Sequence, residues 1–96
     1  METKEQYILF LRKFVADHGA KFGISRIGIF GSVARGEQTA ESDVDILVEF
    51  GRPVGIEFID LSHLLEKELN GKVDVVSRKG VKERYFKEIE RDIVYV

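Results

Sequence analysis

Apolar residues follow helical spacing over the first part of the chain and predict an amino-terminal helix over residues 4–18. The positions that repeat three or four residues apart are Tyr7, Ile8, Leu11, Phe14 and Val15. Thr3 and Gln6 precede this stripe at the spacing of a capping box, which is typical of a helix start. Gly19 and Gly23 predict the end of the helix, because glycine is common just beyond a helix carboxyl terminus.

Shorter apolar runs that are bounded by glycine or polar residues predict three strands. These strands span residues 24–30, 43–50 and 72–77. The first strand enters a Gly31-Ser32 turn, after which residues 33–35 allow one short helical turn and residues 36–42 form a polar loop. Gly51, Arg52 and Pro53 end the second strand, because proline cannot donate a ladder hydrogen bond.

Two further stripes at helical spacing predict helices after the second and third strands. The first stripe is Phe58, Leu61, Leu64, Leu65 and Leu69, and the second is Tyr85, Phe86 and Ile89 within residues 81–91. Asn70-Gly71 is typical of the end of the first of these helices, and residues 93–96 fit either a strand or a helix tail. The order of elements predicts an α+β fold: a small sheet with helices packed on one face and acidic residues on or near the other.

Size and charge narrow the functional classes. The 96 residues predict a single domain over residues 1–96 with one modest core. The net charge of −2, with both signs interspersed, argues against tight nucleic-acid binding by the chain alone. The chain contains no cysteine, which suits a reducing cytoplasm. Its amino terminus lacks an apolar targeting segment and no run is long enough to span a membrane, so we expect an untargeted, cytoplasmic protein.

The candidate chemistry lies in three acidic residues. Asp43 and Asp45 stand two apart on a predicted strand and are expected to project to the same side of the sheet. Asp74 interrupts the apolar run of another strand in the same way. Converging carboxylates repel one another and need a compensating cation, and hard oxygen ligands suit Mg²⁺ or Mn²⁺. A single pair of this kind is more often a solvated strand face; the third acid and the neighbouring Gly31-Ser32 turn favour a site.

Other readings stay open at this stage. Asp74 could instead pair with Lys72 or Arg78. His18 and His63 are expected on helix surfaces, without a role beside Ser32. The aromatic residues near the carboxyl end are candidates first for the core and then for an interface: Tyr85, Phe86 and Tyr95.

Three segments together resemble the minimal nucleotidyltransferase family, which belongs to the DNA polymerase β-like superfamily. They are Gly-Ser-Val-Ala-Arg-Gly-Glu at 31–37, Ser-Asp-Val-Asp-Ile-Leu-Val at 42–48 and Val-Asp-Val-Val at 73–76. The resemblance covers nearly the whole chain and implies a mixed sheet with that family's topology. It implies that Asp43, Asp45 and Asp74 hold two Mg²⁺ or Mn²⁺ ions and perform catalysis. It also implies that Gly31 and Ser32 bind the phosphates of ATP, with Arg35 reaching the triphosphate or acceptor unless it pairs with Glu37 or Glu41.

The same resemblance implies what the reaction serves. Similar domains are antitoxins encoded beside a HEPN-domain toxin, so we expect transfer of AMP from ATP to a hydroxyl of such a partner, a tyrosine above all. One alternative is a catalytically silent module that blocks a toxin by occlusion. Another is a nucleotidyltransferase acting on RNA or a small molecule, for which so short a chain has little material to build an acceptor pocket. Homo-oligomer formation and the preferred base stay open.

Overall fold

A computed structural model gives the structure of residues 3–96, in which helices and strands alternate along the chain. The elements are α1 (Lys4–Phe22), β1 (Ile24–Phe30), α2 (Gly31–Arg35), β2 (Val44–Phe50), α3 (Glu57–Leu69), β3 (Val73–Ser77), α4 (Glu83–Ile89) and β4 (Val94–Tyr95). A 3₁₀ turn, Arg78–Gly80, leads from β3 towards α4. Met1 and Glu2, part of the amino terminus for which no targeting segment is expected, lie outside the described residues.

The start of α1 is as predicted, and of the two glycines predicted to end it Gly23 does so and Gly19 does not. The backbone N–H of Gln6 donates to Thr3 Oγ1 at 3.2 Å, and that of Thr3 donates to Gln6 Oε1 at 2.7 Å, which completes the capping box. The helix continues past His18, with Gly19 buried inside it, and is capped by Gly23 at φ 68°. One interior glycine costs only about 1 kcal/mol relative to alanine, so it does not stop a helix that packs well. The left-handed conformation at Gly23 is what ends α1.

The four strands form one mixed sheet in the order β3-β2-β1-β4. β2 runs parallel to β3, whereas β1 runs antiparallel to both β2 and β4. The prediction of an α+β fold with a mixed sheet is therefore confirmed. The open question about residues 93–96 is settled in favour of a strand, since Val94 and Tyr95 pair with β1.

Helices cover both faces of the sheet, which differs in part from the prediction. On the first face α1 and α3 bury an apolar cluster, as expected; its members include Leu11, Phe14, Ile27, Ile29, Ile46, Val48, Leu61 and Leu65. On the second face α4 packs Phe86 and Ile89 against Phe30 and Leu47. Leu47 is apolar and lies on the same face as Asp45, so this face must also be covered. The spacing of apolar residues within α4 predicts a helix but does not reveal which face of the sheet it covers.

The three aromatic residues near the carboxyl end separate into different environments. Phe86 is buried in the second-face cluster, and Tyr95 is half-buried beside it, with the Arg26 guanidinium 3.7 Å from its ring centre. Tyr85 is exposed over 46% of its surface. Phe86 is thus a core residue, and Tyr85 is the most exposed of the three.

None of the helices formed by residues 3–96 combines the length and the apolar character that crossing a bilayer requires.

Candidate active site

Asp45 and Asp74 lie side by side on parallel strands. Each is the second residue of its strand, and the β2–β3 register pairs their Cα atoms directly. Val44 and Ile46, on either side of Asp45, are buried beneath α1 and α3, so strand alternation turns Asp45 towards the opposite face. The sequence predicts the second strand to begin at Asp43, whereas β2 begins at Val44, so Asp43 lies one residue before the strand.

The half-buried carboxyl group of Asp45 is electrostatically strained. Burial is the main reason that its pKa rises from 3.8 to about 6, and the negative charges of Asp74 and Asp43 raise this pKa further. The Arg35 charge opposes the shift without cancelling it. The structure therefore brings Asp74 and Asp43 within electrostatic reach of Asp45, where an added cation would relieve the repulsion.

The Gly31-Ser32 turn lies against the same carboxyl group. Phe30, the last residue of β1, pairs with Asp45, so the chain turns into α2 directly beside it. Gly31 has a φ of 73°, and a Cβ atom built on it would overlap the Asp45 carboxylate. Ser32 follows in the first turn of α2, which Val33 anchors in the first-face cluster. Glycine is needed here both for the backbone conformation and for the close approach of the acid.

Arg35 ends α2 and is held by two carboxylates. Its Nε donates to Glu37 Oε1 and a terminal nitrogen donates to Asp92 Oδ2, both at 2.9 Å, and these hydrogen bonds raise the pKa of Arg35. The predicted pairing with Glu37 is present, whereas Glu41 is replaced as a partner by Asp92. Asp92 is 57 positions from Arg35 and carries no motif, so no sequence signal connects the two. Sequence reasoning missed this residue for that reason.

The acidic site suits a divalent cation held jointly with a ligand. Within residues 3–96, no three acidic or histidine side chains already surround a position for a metal ion. Mg²⁺ does not require such a cage, because it usually binds through one or two carboxylates together with waters and substrate phosphates. The all-carboxylate donors of Asp43, Asp45 and Asp74 are hard ligands of that type, and the raised pKa of Asp45 shows that positive charge would be favourable here.

The competing structural role for Asp74 is not realised. Arg78 pairs with Glu83 at 3.0 Å, and its guanidinium lies 3.6 Å from the centre of the Phe86 ring. In the part of the chain that the structure describes, no ion pair joins Asp74 to Lys72 or to Arg78. The exposed side chain of Asp74 is therefore available to a ligand at the site.

Both histidines lie on helix surfaces, as predicted. His18 Nε2 lies 2.9 Å from Glu68 Oε2, which links α1 to α3, and its ring packs against Phe14. His63 is exposed on α3. Among residues 3–96 no hydrogen bond connects either histidine to Ser32, so neither histidine activates this serine as a nucleophile.

Comparison with known proteins places this geometry in a family. A family model for a nucleotidyltransferase domain matches residues 11–95. A Methanocaldococcus jannaschii protein that is provisionally named a protein adenylyltransferase is 42% identical over the full length of both chains. The protein adenylyltransferase MntA of Thermococcus cleftensis is 44% identical over 79% of this chain and 78% of its own.

Solved structures share the fold. One that is provisionally described as a minimal nucleotidyltransferase is 35% identical, with a TM-score of 0.79 over 97% of this chain and 95% of its own. A toxin–antitoxin structure with AMP-PNP gives a TM-score of 0.74 at 23% identity, covering 88% of this chain and 68% of the other. At that lower identity the likeness shows the fold alone.

Proposed function

This chain belongs to the nucleotidyltransferase domain family, and from that membership we propose that it transfers AMP from ATP to a tyrosine hydroxyl of a HEPN-type toxin, as that toxin's antitoxin. The observation that carries the proposal is the crowding of three acids beside the Gly31-Ser32 turn, with Asp45 held at a raised pKa. A purely occluding module has no physical need for this arrangement, because the burial and repulsion at Asp45 oppose folding.

The turn and the helix that follows it would bind the triphosphate. Gly31 leaves the backbone open to close approach, and Ser32 offers a hydroxyl and backbone N–H groups to phosphate oxygens. Arg35 stands at the other end of the same short helix and reaches Asp45 electrostatically, so its charge also acts on the site. In the proposed complex these groups hold the triphosphate against the acids and orient its α-phosphorus.

The acids would hold the cations and receive a proton. Asp43 and Asp45, together with Asp74, are the residues that would ligate two Mg²⁺ or Mn²⁺ ions, which when bound neutralise the triphosphate and favour ionisation of the attacking hydroxyl. The acceptor oxygen forms a bond to the α-phosphorus while the bond from that phosphorus to the bridging oxygen breaks, and pyrophosphate leaves. The exposed carboxylate of Asp74 accepts the hydroxyl proton in this scheme.

The relatives support the proposed acceptor class. A relative named a protein adenylyltransferase, MntA, is 44% identical to this chain. A chain named MntA also occurs in a solved toxin–antitoxin structure that shares this fold, at a TM-score of 0.76 and 19% identity. A protein acceptor would supply its own surface to the site. We therefore propose that the partner presents its tyrosine at the amino-terminal ends of β2 and β3, where Asp45 and Asp74 lie side by side.

Transfer to the partner tests the proposal directly. The chain is incubated with ATP, Mg²⁺ and the protein encoded by the neighbouring reading frame, and the partner's mass is measured. We expect one AMP to be added on tyrosine.

We expect Asp45→Asn to reduce the rate by roughly a hundredfold or more, as removal of charge stabilisation in a transition state does. Asp17→Asn, an exposed change on α1, is the matched control and should retain the rate. Unmodified partner whose toxicity is nevertheless suppressed would favour occlusion and contradict the proposal.

A further inference from the structure

The two carboxylates that hold Arg35 differ in how far they are exposed to solvent. The side chain of Asp92 is 27% exposed, whereas that of Glu37 is 65% exposed. The backbone N–H of Asp92 donates to the carbonyl of Ile89 at 2.9 Å, and Ile89 is buried in the second-face cluster. The backbone N–H of Glu37 is also bonded, to the carbonyl of Ser32 at 2.8 Å, so the two residues differ in the exposure of their side chains. Asp92 lies between α4 and β4 with its carboxylate mostly covered, whereas the carboxylate of Glu37, in the loop that follows α2, is mostly exposed.

Resting on the function proposed above, we propose that Asp92 is a positioning residue that holds Arg35 in the orientation that binds the triphosphate, and that Glu37 is the carboxylate that the triphosphate displaces. Arg35 with two carboxylates is a locally negative group, which cannot attract an anion without releasing one of them. The exposed pair with Glu37 is the easier to break, because exposed ion pairs contribute little net free energy.

The geometry of the guanidinium allows this division. Nε faces Glu37 and a terminal nitrogen faces Asp92, so the two bonds use separate parts of the donor fork. Loss of the Glu37 bond frees Nε while Asp92 still fixes the other side of the group. Arg35 is itself 44% exposed, so a phosphate can reach it from solvent.

The link also joins distant parts of the chain at the site. Arg35 lies at the end of the helix that begins with the Gly31-Ser32 turn, and Asp92 lies between α4 and β4. Packing of α4 on the second face therefore sets the position of Asp92. Through Asp92 it also sets the position of the Arg35 charge relative to Asp45.

Single and double variants test this assignment by calorimetric titration of ATP with Mg²⁺. We expect Asp92→Asn to raise the Kd for ATP roughly fivefold, and Asp92→Glu to recover part of that loss. Glu37→Gln should leave the Kd unchanged or lower it, because it removes the competing carboxylate. In steady-state transfer the Asp92→Asn effect should fall on KM for ATP more than on kcat.

The background of Arg35→Gln separates positioning from a loss of structure. In that background Asp92→Asn should have no further effect on the Kd, since the residue acts only through Arg35. Two results would overturn the inference. One is that Asp92→Asn weakens ATP binding equally in both backgrounds, and the other is that Glu37→Gln weakens ATP binding as much as Asp92→Asn does. Failure of the proposed function is distinguishable, because the unaltered protein would then leave its partner unmodified, whereas the inference is tested by the Kd for ATP in the variants.

Discussion

The position of the Asp45 carboxyl group lowers the stability of the fold but favours binding of a cation. It is half-buried beside two other acids, and its charged form is disfavoured, as the rise of its pKa to about 6 shows. The same crowding is what would attract a divalent cation. A carboxyl kept only for folding would be expected to have a lowered pKa and a fixed hydrogen-bond or ion-pair partner.

The raised pKa of Asp45 predicts a pH dependence of stability in metal-free buffer. Well below pH 3.8 the group is protonated in the folded and unfolded states alike, so its charge costs nothing. The pKa of Asp45 is 3.8 in the unfolded chain and about 6 in the folded protein. As pH rises through this range, Asp45 ionises more readily in the unfolded chain, so the folded state loses stability. Above this window the loss is complete. Asp45→Asn removes this titration, so its Tm should equal or exceed that of the unaltered protein near pH 7.

Thermal melting of both proteins from pH 4 to 8, with chelator and then with Mg²⁺, measures this effect. Mg²⁺ should raise the Tm of the unaltered protein more than that of Asp45→Asn, because the cation relieves the repulsion at this carboxylate. A variant that melts well below the unaltered protein at neutral pH, and that still transfers AMP, would show Asp45 to be structural.

At the scale of elements, the turn from β1 into α2 determines how closely a ligand can approach the acids. Gly31 and Gly36 border α2 at φ 73° and φ 72°, so the two glycines carry the same backbone requirement at opposite ends of one helix. They differ in surroundings: a Cβ at Gly31 would overlap the Asp45 carboxylate, whereas one at Gly36 would have no heavy atom within 4 Å.

This matched pair separates backbone strain from contact with the acid. Gly36→Ala should cost about 1–2 kcal/mol of unfolding free energy, the usual penalty for alanine in the left-handed region, and leave ATP affinity intact. Gly31→Ala should cost at least as much and also displace Asp45, so ATP affinity in Mg²⁺ should fall by about tenfold or more. Denaturant unfolding and calorimetric titration of both variants measure the two effects. Equal ATP affinities for the two variants would contradict the contact between the turn and the acid.

At the scale of the whole molecule, charge works against an unassisted nucleotide. The chain has 17 acidic and 15 basic residues. Its site places Asp45 within reach of two other acids and of Arg35, which already holds two carboxylates. A triphosphate entering alone would meet net repulsion at short range, where screening by salt is weakest.

The molecule should therefore bind ATP only together with a divalent cation. In calorimetric titrations we expect binding in Mg²⁺ or Mn²⁺ and none with an excess of chelator, with Asp43→Asn weakening the binding seen in Mg²⁺. Asp60→Asn serves as the control. Asp60 is an exposed acid on α3, so this substitution makes the same change in net charge and leaves the site intact. Equal affinity with and without chelator would remove the metal role assigned to Asp43 and Asp45.

Local patterns in the sequence determine much of this protein. Helical and strand periods locate the main elements, because side-chain burial repeats with backbone geometry, and the Thr3–Gln6 cap lies within three residues of chain. The motif residues around Gly31 and Asp45 predict the site for the same reason: turn and strand geometry are local. At Gly19 the sequence predicts an end that α1 does not have, because packing outweighs the intrinsic preference of one residue.

Tertiary structure alone decides the remaining features. The parallel pairing of Asp45 with Asp74, the packing of α4 on the second face and the bond from Arg35 to Asp92 all join residues far apart in the chain. Such contacts depend on which strands become neighbours, and periodicity within a strand carries no information about its neighbour. The raised pKa of Asp45 has the same origin, since the burial of Asp45 and its proximity to the charge of Asp74 arise only once the sheet has formed.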